Sequence, residues 1–286
     1  MTLTIDDLTP VEKTLVITLN GRALDARSKH PLLGDDLADK VLERISTDVG
    51  SVELSSTVKI AVALRTMMLD RIVDGFIAAH ANAVVVELGC GLDTRMHRLS
   101  PPATVDWYDV DLPNVIALRR RAMPELQRSH LIAASLTDRH WLESIPRDRP
   151  AIAVADGVVT FLTEADIKQV FTALTDHFTG GGELAFNAGT RLTARMMGLL
   201  GVLRAVGFPK GYRGYGFDDP KDVERLNPQL TLVEEQLGAQ VMTSLGDSRA
   251  RGWLAQIPWA TRVIGKWFAR WRTQARRGVW VVRYRF

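Results

Sequence analysis

Glu87, Gly89 and Gly91 stand at alternate positions in VVVELGCGLDTR, residues 84–95. Three β-branched residues lead into Glu87, and a helix-like segment begins near Asp93 and Thr94. Strand, glycine turn and helix together bring backbone N–H groups up to a nucleotide-like ligand. Gly89 and Gly91 let the chain turn tightly with no Cβ between backbone and ligand. Asp111 follows Gly91 by twenty residues, near the end of a second expected strand, where a carboxylate can accept both hydroxyls of a ribose. Asp109 shares that strand face, and alternation alone leaves both open. A dinucleotide fingerprint would need a third glycine three positions after Gly91. That position is Thr94, which disfavours an NAD-type oxidoreductase. Cys90, the single cysteine, lies between the two glycines and reads as packing rather than as a nucleophile. One cysteine allows neither an intrachain disulfide nor a Cys-based metal cluster, and no metal is expected.

The elements that position these residues follow from apolar periodicity. Leu37, Val41, Leu42 and Ile45 predict a helix over 35–46, while the apolar run TLVITLN, residues 14–20, is brief. Ile60, Leu64, Met68, Ile72 and Phe76 recur every four residues, predicting a helix from Ser55 or Ser56 to about His80. A helical part of about eighty residues therefore precedes the first strand. Strands are expected at 83–88, 104–110, 129–133, 152–155 and 183–187, with helices between, and this alternation argues for a mostly parallel sheet. Thr163 and Asp166 resemble a capping box before the face Ile167, Val170, Phe171 and Leu174, and the glycines 180–182 stop that helix. Leu192, Met196, Leu199, Leu200, Leu203 and Val206 predict a further helix ended by Gly207 and Pro209. The loop at 211–217 is rich in glycine and aromatics, and final strands are expected at 230–233 and 279–286. Trp267, Phe268 and Trp271 oppose Arg262, Lys266 and Arg270. They are read as a helix packed on the sheet, in preference to one that binds a membrane surface or an acidic partner.

The chain of 286 residues allows one large α/β domain with additions or two small ones, and its 46% hydrophobic and 24% charged residues are those of a soluble globular protein with a sizeable core. A formal charge of +3 is too slight to argue for nucleic acid. No long apolar run marks a signal peptide, and charges such as Arg65 and Asp156 interrupt every candidate span, so a cytoplasmic enzyme is expected.

ELGCGLDTRMHRL, residues 87–99, is similar to the glycine motif of the leucine carboxyl methyltransferase family, which includes polyketide O-methyltransferases. Segments 22–38, 64–70, 108–113 and 156–167 resemble other family motifs in the same order, so the likeness runs from about Arg22 to Asn187. The resemblance implies an α/β fold: a class I methyltransferase, Rossmann-like, with a mostly parallel seven-stranded sheet. It also implies an N-terminal helical cap over 1–80, a core over 81–286, and a helical lid inserted at about 190–228, after the fifth strand.

It further implies S-adenosylmethionine as cofactor. In the family pattern Asp111 is favoured for the ribose, Arg22 and Arg65 for the methionine carboxylate, and Glu87 for the loop or the ammonium group. Ser135-Leu136 replaces the usual Asp-Leu at the adenine, and Asp156 replaces the usual glutamate of the fourth motif. These departures keep open a non-methylating cofactor-binding protein. The expected activity is O-methylation of a small, polyketide-like secondary metabolite, at a carboxyl or a hydroxyl. Tyr212 and Tyr215, on a loop that its glycines would let move, are candidates for contact with a flat acceptor. No histidine sits in a base motif, His97 reads as structural, and no catalytic base is assigned.

Overall fold

The computed structural model describes residues 3–46, 54–244 and 275–286. Seven strands form one sheet: β1 (Val84–Leu88), β2 (Asp106–Asp111), β3 (Ser129–Ala133), β4 (Ala151–Ala155), β5 (Gly182–Ala188), β6 (Thr231–Leu237) and β7 (Trp280–Arg285). Their order is β3-β2-β1-β4-β5-β7-β6. The first five are parallel, and β7 enters antiparallel between β5 and β6.

β1 is central and buried along its whole length. Its alternating side chains serve two cores. Val84 and Val86 face α6 (Glu164–His177), through Ile167, Val170, Phe171 and Leu174. Val85 faces α3 (Ser56–Ala79), through Met68, Ile72 and Phe76. A third core joins α1 (Pro10–Ala26) and α2 (Asp36–Leu42) to Leu92 in the glycine turn and to Val115 and Leu118 of α5 (Pro113–Ala122). The N-terminal helices are thereby anchored beside the turn. A short helix α4 (Arg95–Leu99) follows the turn.

The structure departs from sequence expectation in three places. Residues 14–20 belong to the seventeen-residue α1. The helix expected over 35–46 ends at Leu42, and Ile45–Ser46 instead pairs in parallel with Leu3–Thr4. The helix expected over 192–206 is broken into α7 (Arg191–Arg195), a 3-10 turn at Met197–Leu199, and α8 (Gly201–Ala205). A Cβ on Gly198 would strike the carbonyl of Lys210, so the chain turns where that strand of loop crosses it. Trp267, Phe268, Trp271, Arg262, Lys266 and Arg270 lie outside the described residues. Two further short helices, α9 (Lys221–Leu226) and α10 (Gly238–Ser244), flank β6.

At the start of α6 the Thr163 hydroxyl accepts from Asp166 N and the Asp166 carboxylate accepts from Thr163 N, each at 3.1 Å. Thr163→Ala removes the first of these bonds. The expected loss is about 1 kcal/mol, read from the urea midpoint at unchanged slope.

Candidate functional site

The glycine turn is built from positive-φ backbone. Gly89 has φ +62° and Gly91 φ +49°. A Cβ on Gly89 would lie 2.6 Å from Val158, so this position needs glycine for conformation and for space alike. The N–H groups of Gly89 and Cys90 donate to Val110 O on β2, and that of Gly91 donates to the Asp111 carboxylate at 2.7 Å. The expectation that these N–H groups face a ligand is therefore corrected: they tie the turn to β2. Arg119 of α5 fastens the other side, donating to Gly91 O and Asp93 O at 3.2 and 2.6 Å.

Arg119 also separates the two aspartates that spacing left open. Its Nε and Nη2 both donate to Asp109 Oδ2, at 3.1 and 2.8 Å, which commits Asp109 to structure. Asp111 accepts only from Gly91 N and Leu112 N among the described residues, and it lines the cavity. Burial pushes its carboxyl up to about 6.

Behind the turn stands Arg95, the first residue of α4, with a side chain fully withdrawn from solvent. Its Nη1 donates to both oxygens of Glu87 at 2.6 and 2.7 Å, its Nε to Asp70 at 2.7 Å, and its Nη2 to Asp156 at 3.4 Å. Arg98, one turn on, joins Asp70 to Asp35, and Asp35 also receives Thr94 Oγ1 at 2.5 Å and Arg22 Nε at 3.1 Å. Thr94, at the position of the missing third glycine, is thus a buried structural donor. Burial raises Glu87 to about 8 against the pull of Arg95, while Arg95 itself, ringed by carboxylates, is held protonated.

A cavity of about 250 Å³ opens in front of the turn. It brings together Arg22, Glu87, Gly89, Gly91, Asp111, Ser135, Leu136 and Asp156, eight residues singled out from sequence. Arg65 is not on its wall. It holds the wall residue Asp156 from behind, Nε to Oδ1 at 2.6 Å, beside a second bond from Thr66 at 2.8 Å. Arg22 reaches the wall although nearly all of it is buried, and its Nη2 donates to Leu92 O at 2.7 Å. Ser135 is hydrogen-bonded to Thr137 at 2.8 Å.

Tyr212 and Tyr215 do not line the cavity. Tyr212 packs edge-on against Phe208 and tilts over Phe161, and Tyr215 joins the core beneath α6. Two of the loop's three glycines are set by packing, while Gly211 faces open space. A Cβ on Gly216 would lie 2.5 Å from Thr190 O, and one on Gly214 would strike Met197 and Thr160, so these glycines permit close packing. His97 bonds to Pro124 O at 3.2 Å, as a structural residue would, and burial pushes the Cys90 thiol well above its ordinary range.

Sequence reasoning missed the part played by α1. Val11, Glu12, Thr14, Leu15 and Thr18 all line the cavity, facing Val158, Phe161 and Leu162. The lining thus holds the carboxyl groups of Glu12, Glu87, Asp93, Asp111 and Asp156 and the guanidinium of Arg22, while Arg65, Arg95 and Arg98 pair with Asp156, Glu87 and Asp93 from outside the wall. Such a wall favours a cationic ligand. Its outer part is apolar. All six histidines and all four tyrosines of the chain are among the described residues, and none lines the cavity.

Residues 15–175 match the family model described as leucine carboxyl methyltransferase. The chain is 39% identical over 228 residues to tetracenomycin polyketide synthesis O-methyltransferase TcmP of Streptomyces glaucescens, covering 80% of this chain and 83% of that one. It is 30% identical over 272 residues to the S-adenosyl-L-methionine-dependent methyltransferase dpfgK of Gibberella zeae, covering 87% and 88%. Among solved structures, a methyltransferase from Thermobifida fusca, assigned as such provisionally, superposes with a TM-score of 0.54 at 17% identity, covering 93% of both chains; this likeness concerns the fold alone.

Arg95→Met leaves Glu87 buried without its main partner and takes from Asp70 one of the two arginines that hold it. The expected cost is about 3–5 kcal/mol of unfolding free energy, measured in urea. The exposed ion pair of Arg225 with Asp222 provides the contrast: Arg225→Ala should cost less than about 1 kcal/mol. Equal midpoints for the two variants would show that the buried cluster is not what holds the turn.

Proposed function

The chain belongs to the leucine carboxyl methyltransferase family and is an S-adenosylmethionine-dependent methyltransferase, and on that premise we propose that it methylates a carboxylate oxygen of a small, largely apolar acceptor. The observation that carries this reading is the lining of the cavity. A carboxylate is already a nucleophile, whereas a hydroxyl gains from a general base. Among the described residues no histidine, tyrosine or lysine lines the wall, and the buried thiol of Cys90 is held protonated. Of the wall carboxylates, Glu87, Asp93 and Asp156 are paired with arginines, Glu12 is bonded to the start of α1, and Asp111 is given over to the ribose. That TcmP is named an O-methyltransferase of polyketide synthesis supports oxygen as the target and an apolar acceptor.

The residues present fit the cofactor. Asp111, with one backbone N–H on each oxygen, retains lone pairs for a ribose diol. Ser135 and Leu136 offer a hydroxyl and an apolar edge to the adenine. Glu87, whose carboxyl burial raises to about 8, would be drawn into its ionised form by the ammonium group, and Arg22 with Arg65 behind Asp156 sets the charge at the methionine end. A Cβ on Gly91 would project to 3.4 Å from Leu15, into the space the cavity needs. S-adenosylmethionine, when bound, supplies a methyl carbon already activated by its sulfonium. The chain's own work is to align the acceptor and exclude water, with Val11, Leu15, Phe161 and Leu162 around the mouth and the hydroxyls of Thr14 and Thr18 beside them. We assign residues 1–80 the role of a cap and residues 190–228 that of a lid over this cavity.

An anionic acceptor entering the empty cavity would meet five carboxylates. A bound cofactor covers the inner carboxylates and brings its own ammonium group to them, so the cofactor should bind first. Calorimetry should detect no binding of an aromatic carboxylic acid alone and clear binding after S-adenosylhomocysteine is added. The product test uses matched acceptors, one with a carboxyl and one with only a phenol. The expected product is one methylene unit heavier and is cleaved by mild alkali, as an ester is. An alkali-stable ether, formed from the phenol alone, would overturn the carboxylate assignment.

Asp111 provides a pH test. Its diol-binding form is ionised, and burial raises its carboxyl to about 6. Affinity for the cofactor should therefore rise as pH climbs through 6, with a loss of ~10-fold between pH 7 and pH 5. Asp111→Asn should weaken binding and flatten that dependence.

A further inference from the structure

The segment from α7 to α8 is apolar on both faces. Its inward side chains, Met197, Leu203 and Val206, form a small core with Phe208, and Ile17, Phe161 and Tyr212 pack against it. Ile17 belongs to α1, and Phe161 lines the cavity, so this core is the outer wall of the site. A surface segment normally turns polar side chains outward. Here Leu192, Met196, Leu199 and Leu200 point outward instead, each 45–59% exposed. They lie within nine residues, from α7 across the 3-10 turn to the start of α8, so the exposed apolar side chains are concentrated at that break. Four of the six large hydrophobic side chains exposed among the described residues lie in this one stretch.

The charges carried by the segment itself are all of one sign. Residues 190–216 contain five Lys or Arg and no Asp or Glu. Arg191 is paired with Asp218 and Asp222. Arg195, Arg204, Lys210 and Arg213 are exposed, with no ion-pair partner among the described residues. The wider chain repeats this division. Residues 1–190 carry 19 Lys and Arg against 26 Asp and Glu, while residues 191–286 carry 17 against 7. The small net charge conceals a molecule with an acidic part and a basic part. The stretch 253–271, outside the described residues, adds Trp253, Trp259, Trp267, Phe268 and Trp271 among Arg262, Lys266 and Arg270 to the basic part of the sequence.

We propose that the exposed face of residues 192–200, with its ring of cations, docks on the surface of an anionic lipid bilayer. Apolar side chains enter the boundary between headgroups and acyl chains, and arginines stay with the lipid phosphates. The pairing of the two chemistries on one segment favours lipid over an acidic protein, for which exposed leucines are not required. No helix among the described residues is long and apolar enough to cross a membrane, so the contact is peripheral. Its use rests on the proposed function: an apolar acceptor partitions into lipid, and the patch is the outer surface of the wall that faces the acceptor.

The test does not involve turnover, so it stands or falls apart from the acceptor assignment. The whole protein is floated with vesicles of three parts phosphatidylcholine to one part phosphatidylglycerol, and with phosphatidylcholine vesicles. The expected result is co-flotation with the anionic vesicles and little with the neutral ones. Leu199→Ser with Leu200→Ser should lower vesicle affinity at least ~10-fold, with S-adenosylhomocysteine affinity unchanged as the check on folding. Wild-type protein that stays in the soluble fraction overturns the proposal. So does a double variant that floats as well as the wild type, because the cations alone would then account for binding. A wild-type dimer that the double substitution converts to a monomer, without vesicle binding in either form, assigns the face to a second copy and also overturns it.

Discussion

A guanidinium with no access to water must be surrounded by carboxylates, and the site is organised by that requirement at Arg95. Each of its partners comes from a different element: Glu87 from β1, Asp70 from α3, Asp156 from the end of β4. None of these carboxylates could be buried alone at tolerable cost. Satisfying one cation therefore fixes the relative positions of the central strand, the long helix behind it and the neighbouring strand. Arg98 and Asp35 extend the cluster to the segment before α2, and Arg22 brings in α1. Specificity of arrangement is the gain here, since buried ion pairs add little net stability.

The same arrangement divides the chemistry of the cavity. Guanidinium groups stand mostly behind the wall, and carboxylates form it. The inner end is thus prepared for a cation, and the mouth, made by α1 and the residues after β4, is prepared for an apolar body. Asp111 and Asp109 illustrate how local this division is. They occupy one strand, two residues apart, yet one faces Arg119 and the other faces the cavity.

The sheet was legible in the sequence because buried parallel strands are continuous apolar runs between turn residues. α3 and α6 were legible because one face of each is apolar. α1 was not, because Glu12, Asn20, Arg22 and Asp25 are buried along with its leucines, which leaves no polar face to set a period. Its Val16, Ile17 and Thr18 also weaken the helical signal. The broken helix near Gly198 was misread because its apolar spacing is real while the crossing of Lys210 is tertiary. The glycine motif and the acidic position after it located Glu87, Gly89, Gly91 and Asp111 on the wall, and the family resemblance added Arg22, Ser135, Leu136 and Asp156. The arginine cluster could not be, since Arg95 meets residues 25 and 61 positions away. Arg119 was the one readable clue to Asp109, standing ten residues on in the next helix.

β7 is the last strand in sequence and an inner strand in space. Until it arrives, β5 presents an open edge of backbone donors and acceptors, and β6 has no partner in the sheet. During synthesis the nascent chain therefore carries a nearly complete α/β unit with one unprotected flank. Trp280, fully buried, must then enter a space bounded by Phe217 and the strand on either side. Folding is held incomplete until translation has passed this point, and the exposed edge in that interval is where a chaperone would bind or where two unfinished copies would pair.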